Sequence, residues 1–170
     1  MITLIPVHQD ESEELSAMAR QIWPSVYSQI ISHRQIEYML DWMYSTSKLR
    51  SEIESGEIFY RWIGFEGTRI GFLGYEQVAL SATELHKLYL LPSSHGRGLG
   101  QASLTALAAE LSKLGTASIS LRVNRHNRRA IACYERFGFT KIDEHCLDIG
   151  EGFVMDDYLY RFDLPESAMN

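Results

Sequence analysis

Chemistry in this sequence concentrates in two glycine-bearing stretches and one pair of polar residues. The first stretch is His95-Gly96-Arg97-Gly98-Leu99-Gly100-Gln101, entered from Leu88-Tyr89-Leu90-Leu91-Pro92. Glycine lets a backbone turn tightly and come close to a ligand. The first turn of a helix adds unpaired N–H groups at a positive dipole end. The pattern reads either as a phosphate cradle or as a plain turn between a strand and a helix. Two better-known cradles are excluded. A dinucleotide fingerprint would need glycine at position 101, where Gln101 stands, and no Gly-Lys-Ser/Thr occurs. The second stretch runs from Asn127 through Ala130 and Tyr134 to Gly138-Phe139. Asn127 suits a helix cap, and Tyr134 on its own reads as a core aromatic. Glu84 and His86 stand two apart on a strand-like run, so they share a face. Histidine titrates near neutral pH, whereas a glutamate needs an upward shift to work as a base there.

The elements that must position these residues follow from periodicity and punctuation. Ile2–Val7 reads as a strand, at an edge because of Pro6. Asp10 ahead of Glu11, Glu13 and Glu14 marks the start of a helix, which is expected to stop at Trp23, before Pro24. Ser32 and Gln35 form a capping-box pattern ahead of a helix over His33–Tyr44, with Ile36, Met39, Leu40 and Met43 on one stripe. Ser47–Ser55 is a third helical piece, closed by Gly56. The period then changes from 3.6 to 2. Ile58–Phe65 and Arg69–Leu80 are strands joined by a turn at Glu66-Gly67-Thr68, and Glu84–Leu91 is the next strand. Leu99–Leu114 is a helix closed by Gly115. Ala117–Val123 is a buried strand, Asn127–Phe137 a short helix, and Thr140–Ile149 and Phe153–Asp163 are two closing strands. One continuous α/β domain over 1–170 is expected. Its mixed sheet includes a right-handed crossover from Glu84–Leu91 through a helix to Ala117–Val123.

Taken together, the two stretches resemble the signature motifs of the GNAT superfamily of acyl-CoA-dependent N-acetyltransferases. The family's Gln/Arg-x-x-Gly-x-Gly/Ala matches His95-Gly96-Arg97-Gly98-Leu99-Gly100, with His95 as its one departure. Its Asn-x-x-Ala-x-x-x-Tyr-x-x-x-Gly-Phe matches Asn127, Ala130, Tyr134, Gly138 and Phe139 at every position. The motif match covers about Glu84–Phe139, and the element order extends it over nearly the whole chain. The resemblance implies a central, mostly antiparallel mixed sheet flanked by helices, with a splayed strand pair that holds acetyl-CoA. It implies that the N–H groups of Gly96 to Gln101 receive the pyrophosphate, with Arg97 as a nearby cation. Backbone along Leu88, Tyr89 and Leu90 would pair with the pantetheine arm like an added strand. Leu90 matches the position whose N–H polarises the thioester carbonyl. Tyr134 matches the general acid that protonates the departing thiolate, and Asn127 gains a contact to the pantetheine or to a strand. An amine acceptor must lose a proton before attack, and Glu84 or His86 is the candidate base, directly or through water. Cys133 is taken as a small buried hydrophobe rather than a nucleophile.

Composition narrows the partners. The chain has 170 residues, 45 % hydrophobic and 22 % charged, with a formal net charge of −6. These values fit a globular domain with its own core. Two cysteines exclude a disulfide scaffold or a Cys-rich zinc site, and no metal is expected. No apolar run reaches the ~18 residues of a membrane span, and Met1–Asp10 lacks the features of a signal peptide, so a cytoplasmic setting is the default. Net negative charge disfavours nucleic acid and anionic membrane. Arg122, Arg125, Arg128 and Arg129 form a basic cluster that reads best as a solvated face with nearby acids, one of Arg128 or Arg129 touching the coenzyme. The resemblance places the acceptor between the N-terminal helices and the C-terminal strand loop. There Trp23, Tyr27, Tyr38, Trp42 and Tyr44 meet Asp148, Glu151, Asp156 and Asp157, a combination suited to a cationic amine. Expected partners are therefore a small-molecule or peptide amine, with a homodimer left open. A non-catalytic acyl-CoA-binding module on the same fold is the competing reading.

Overall fold

The computed structural model describes residues 1–166. The strands are β1 (Ile2–Pro6), β2 (Phe59–Phe65), β3 (Thr68–Ala79), β4 (Ala82–Leu90), β5 (Ser118–Asn124), β6 (Thr140–Gly150) and β7 (Phe153–Asp163). The α-helices are α1 (Ser12–Tyr27), α2 (His33–Met43), α3 (Thr46–Ser55), α4 (Leu99–Lys113) and α5 (Arg128–Phe137). Among the described residues the strands form one sheet in the order β1-β2-β3-β4-β5-β7-β6. Only the β4–β5 pairing is parallel, as a crossover through α4 requires. The mixed, mostly antiparallel sheet is the expected one, and β1 with Pro6 does lie at its edge.

Each face of the sheet carries its own core. Leu85, Leu99, Leu104, Leu107, Ile119 and Leu121 pack on the α4–α5 side. Trp23, Leu40, Tyr44, Tyr60, Trp62 and Phe72 pack on the α1–α3 side.

Three local expectations are corrected. Helix α1 does not stop before Pro24 but continues to Tyr27. Proline in a last turn forfeits one backbone bond. The Pro24 carbonyl still accepts from Ser28 N at 3.1 Å, and the added turn buries Tyr27 against Trp23 with ring centroids 4.5 Å apart. Asp10 is not the N-cap, because a short 3-10 turn over Gln9–Glu11 comes before the α-helix. At Ser32 only half of the box forms. Its hydroxyl accepts from Gln35 N, but the Gln35 amide donates to the Val154 carbonyl at 2.8 Å and so ties α2 to β7.

Candidate active site

The site is a gap in the sheet. β4 and β5 pair only over Ala82–Leu85 and Ser118–Leu121. Beyond that, β4 stays on β3 and β5 stays on β7, so a V-shaped slot opens between them. A bulge sharpens the divergence: Gly74 faces Lys87 and Tyr75 faces Leu85, leaving His86 as the extra residue. Leu91 N donates to the Ile70 carbonyl on β3. Because backbone groups alternate sides along a strand, the N–H groups of Leu88 and Leu90 point into the slot. No β5 partner is there to take them.

The slot leads to the glycine turn. Gly96 and Gly98 have φ of +73° and +74°, a left-handed conformation that side chains disfavour. Gly98 is the N-cap of α4 and supplies no capping side chain. The first N–H groups of α4 therefore remain available to an anion. A Cβ on Gly100 would come within 3.0 Å of Cys133 Sγ, so glycine also lets α5 lie close to α4. Gln101 fixes that approach by donating to the Cys133 carbonyl at 2.6 Å. Burial raises the Cys133 thiol pKa, which agrees with a packing role.

His95 uses both ring nitrogens inside the protein. Nε2 meets the Leu90 carbonyl at 2.9 Å, and Nδ1 meets the Arg129 guanidinium. Burial, aided by Arg129, keeps the ring pKa low, and the Leu90 bond opposes this. A neutral ring with Nε2–H donating and Nδ1 accepting satisfies both contacts. His95 thus ties the turn to the end of β4 and brings Arg129, rather than itself, toward the cradle. The Arg97 side chain lies elsewhere, over the Phe65 ring at 5.4 Å. Two of the four arginines of the basic cluster face acids. Arg125 pairs with Asp156 at 2.7 Å, and Arg122 stands 3.7 Å from Glu84.

A cavity of about 720 Å³ joins these features, a size that suits a small-molecule site. Leu88, Tyr89, Leu90, Gly96, Gly98, Leu99, Gly100, Gln101, Asn127, Ala130 and Tyr134 all line it, as do Glu84 and His86. The Asn127 side chain caps α5 by accepting from Ala130 N at 3.3 Å. Tyr134 is 8 % exposed and its ring packs edge-on to Phe139. Its hydroxyl has no hydrogen-bond partner among the described residues, and burial raises its pKa, so the phenol stays protonated. Glu84 and His86 sit on the α1–α3 face, where His86 Nε2 is 2.8 Å from Glu76. Among the described residues no three His, Cys, Asp or Glu side chains gather as a metal site would need.

One residue of the site gave no signal in the sequence. Lys87 is buried in the cavity wall. Its ammonium is bonded to the Tyr60 hydroxyl, lies 3.9 Å from Glu52 and faces the Tyr44 and Tyr60 rings. Burial lowers its pKa to about 8, against the pull of Glu52. Regular alternation from Leu85 would put Lys87 on the α4–α5 face, and the bulge at His86 turns it to the other.

The geometry is that of an open slot between two strands, with an uncapped helix N-terminus at one end. The model of the acetyltransferase (GNAT) family matches residues 16–139. The chain belongs to the GNAT acetyltransferase family. A spermidine N(1)-acetyltransferase of Thermoplasma acidophilum is 29 % identical over 151 residues, 86 % of this chain and 91 % of that protein. The Escherichia coli [ribosomal protein bS18]-alanine N-acetyltransferase is 36 % identical over 84 residues, 48 % of this chain and 57 % of that protein. Among solved structures, a PaiA N-acetyltransferase from Thermoplasma acidophilum in complex with coenzyme A superposes with a TM-score of 0.80. It shares 26 % identity and covers 96 % of this chain and 99 % of its own. The expected fold, family and enzyme class hold. The GNAT family uses acetyl-CoA, and the glycine cradle, the slot-facing N–H groups and the unpartnered Tyr134 hydroxyl fit that co-substrate.

Proposed function

We propose that this acetyltransferase moves the acetyl group of acetyl-CoA to a primary amine, small or polyamine-like, by direct attack in a ternary complex. The observation that carries this reading is the slot itself. It is open to both faces of the sheet, so donor and acceptor can meet across it. Gly96 to Gln101 hold the pyrophosphate on backbone N–H groups, with Arg129 as the neighbouring cation. Leu88 and Leu90 pair with the pantetheine arm, and a slot-facing N–H, with Leu90 as the family's position, polarises the thioester carbonyl. Glu84 or His86, directly or through water, takes the proton of the incoming ammonium. The amine nitrogen then bonds to the carbonyl carbon, the C–S bond breaks, Tyr134 protonates the thiolate, and the second proton lost from the nitrogen restores the phenol. The relative named for spermidine, matched over most of both chains, supports a small cationic acceptor.

The test is free-thiol release from acetyl-CoA with a panel of alkylamines, polyamines and peptides. Release that depends on a small amine is expected. Tight acetyl-CoA binding with no release above hydrolysis for any amine would leave a binding module instead.

A further inference from the structure

Four carboxylates near the C-terminal hairpin were candidates for the acceptor's charge, and the structure separates them. Asp148 accepts from Gly150 N at 2.8 Å and so shapes the turn. Glu151 is exposed in that turn. Asp156 is paired with Arg125. Asp157 differs from all three. It is 6 % exposed and lines the cavity, yet its carboxylate has no hydrogen bond and no ion pair among the described residues. Arg122, the cation whose field it feels, sits beside Glu84. Burial, reinforced by Asp156, pushes the Asp157 pKa up against that field.

Its position is equally specific. Asp157 pairs with Asn124, on the part of β5 that has already left β4, and shares its face with Arg122 and Glu84. Tyr27 lines the same cavity as Asp157 and Tyr134. The Tyr27 hydroxyl bonds to that of Tyr89 at 2.8 Å, and burial, with a smaller contribution from the Asp157 charge, raises its pKa. The Asp157 oxygens are not sealed in but open to the cavity they line, and a partly desolvated carboxylate facing a cavity is stabilised by a cationic ligand.

We propose that Asp157 determines acceptor specificity: its carboxylate docks the protonated nitrogen of an alkylamine and so selects alkylammonium acceptors over nucleophiles that are neutral near pH 7. This rests on the acetyl-transfer reading above and deepens it. Asp157 holds the nitrogen beside the slot, and Glu84 or His86 remains the route for its proton.

The test compares the parent with Asp157→Asn and Asp157→Ser. Butylamine and aniline, the latter uncharged near pH 7, are titrated calorimetrically into protein loaded with coenzyme A, and thiol release is followed in parallel. Butylamine binding is expected to weaken roughly tenfold or more in both variants. Aniline binding should be unchanged. The amine KM should rise while kcat stays within about threefold and the acetyl-CoA KM does not move. Both variants should melt no lower than the parent in the absence of amine, because the substitution removes no hydrogen bond or ion pair of the protein. Butylamine bound equally well by Asp157→Asn and the parent, or not bound by the parent at all, overturns the proposal. So does a lower melting temperature in both variants, which would show a structural role. Calorimetry reads Asp157 without turnover, so absence of thiol release with every amine would count against the acetyl-transfer reading alone.

Discussion

The two faces of the sheet are built from different materials. The α4–α5 face is mainly aliphatic, with one ring cluster at Tyr134, Phe137, Phe139 and Phe162, and two of its buried hydroxyls are satisfied close by: Ser103 donates to the Leu99 carbonyl, and Thr83 meets Thr116 at 3.1 Å. The α1–α3 face is richer in buried aromatic rings, among them Trp23, Tyr44, Tyr60 and Trp62, and carries buried groups that titrate or lack partners. Lys87 and Glu52 are both buried there, and Trp23 Nε1 and the Tyr44 hydroxyl have no well-formed hydrogen bond. The contrast follows the division of labour proposed above. A coenzyme that is always the same can be held by backbone and glycine, with apolar side chains as filler. An acceptor must be chosen by its charge and shape, and that needs side chains kept in costly surroundings.

Four substitutions test that contrast. The largest effect is expected at Tyr134, which reaches the slot from the aliphatic face. Tyr134→Phe keeps the ring on Phe139 and removes the hydroxyl. Turnover should fall roughly 10²–10⁴-fold, while calorimetry shows little change in the acetyl-CoA Kd. Parental turnover across the pH range would make Tyr134 a packing residue. Next is Gly98→Val, which puts a branched side chain at φ +74° beside the cradle. Acetyl-CoA affinity should drop by at least about tenfold with the fold retained by circular dichroism. Unchanged affinity would remove the cradle from the coenzyme face.

A smaller effect belongs to the aromatic face and is read as stability against pH. The folded-state pKa of Lys87, about 8, lies below its ordinary 10.5, so above pH 8 the unfolded chain binds more protons than the native one. Stability should therefore rise from about pH 8 toward pH 10, by up to about 3 kcal/mol. Above pH 10 the buried tyrosines, whose pKa values are raised, act in the opposite direction. Urea titrations should show this slope in the parent and lose it in Lys87→Met. A parental slope in the variant would assign the titration to another group. The smallest effect is at Asn127. Loss of its cap on Ala130 N in Asn127→Ala should cost about 1 kcal/mol, and a larger change in acetyl-CoA affinity than in stability would give it the additional coenzyme contact.

Much of this was legible in the sequence because it rests on local rules. A glycine at Gly98 and a capping Asn127 are required by the backbone at those points, and the turn at Glu66-Gly67 needs only positive φ at two residues, 50° and 77°. What escaped depends on distant partners. Pro24 stays helical because Tyr27 gains a burial site. Gln35 abandons its cap for a strand well over a hundred residues away. Lys87 changes face because of one bulge, which alternation along the strand gives no means to see. Nor could spacing tell Asp157 from Asp156, since what separates them is that Arg125 reaches only one.

The slot also gives the sheet a third margin. Besides its outer strands β1 and β6, the sheet has unpaired backbone along His86–Leu90, an interior edge of the kind that invites pairing with any extended chain. Natural edges are usually guarded by charge or proline. This one is recessed between two strands that converge at Leu85, and the turn tied down by His95 lies at its far end. A slender ligand that carries its own amide groups, as proposed above for the pantetheine arm, would satisfy that edge lengthwise. On the proposed reading, the feature that would make an exposed sheet aggregate becomes a filter for slender, amide-bearing molecules.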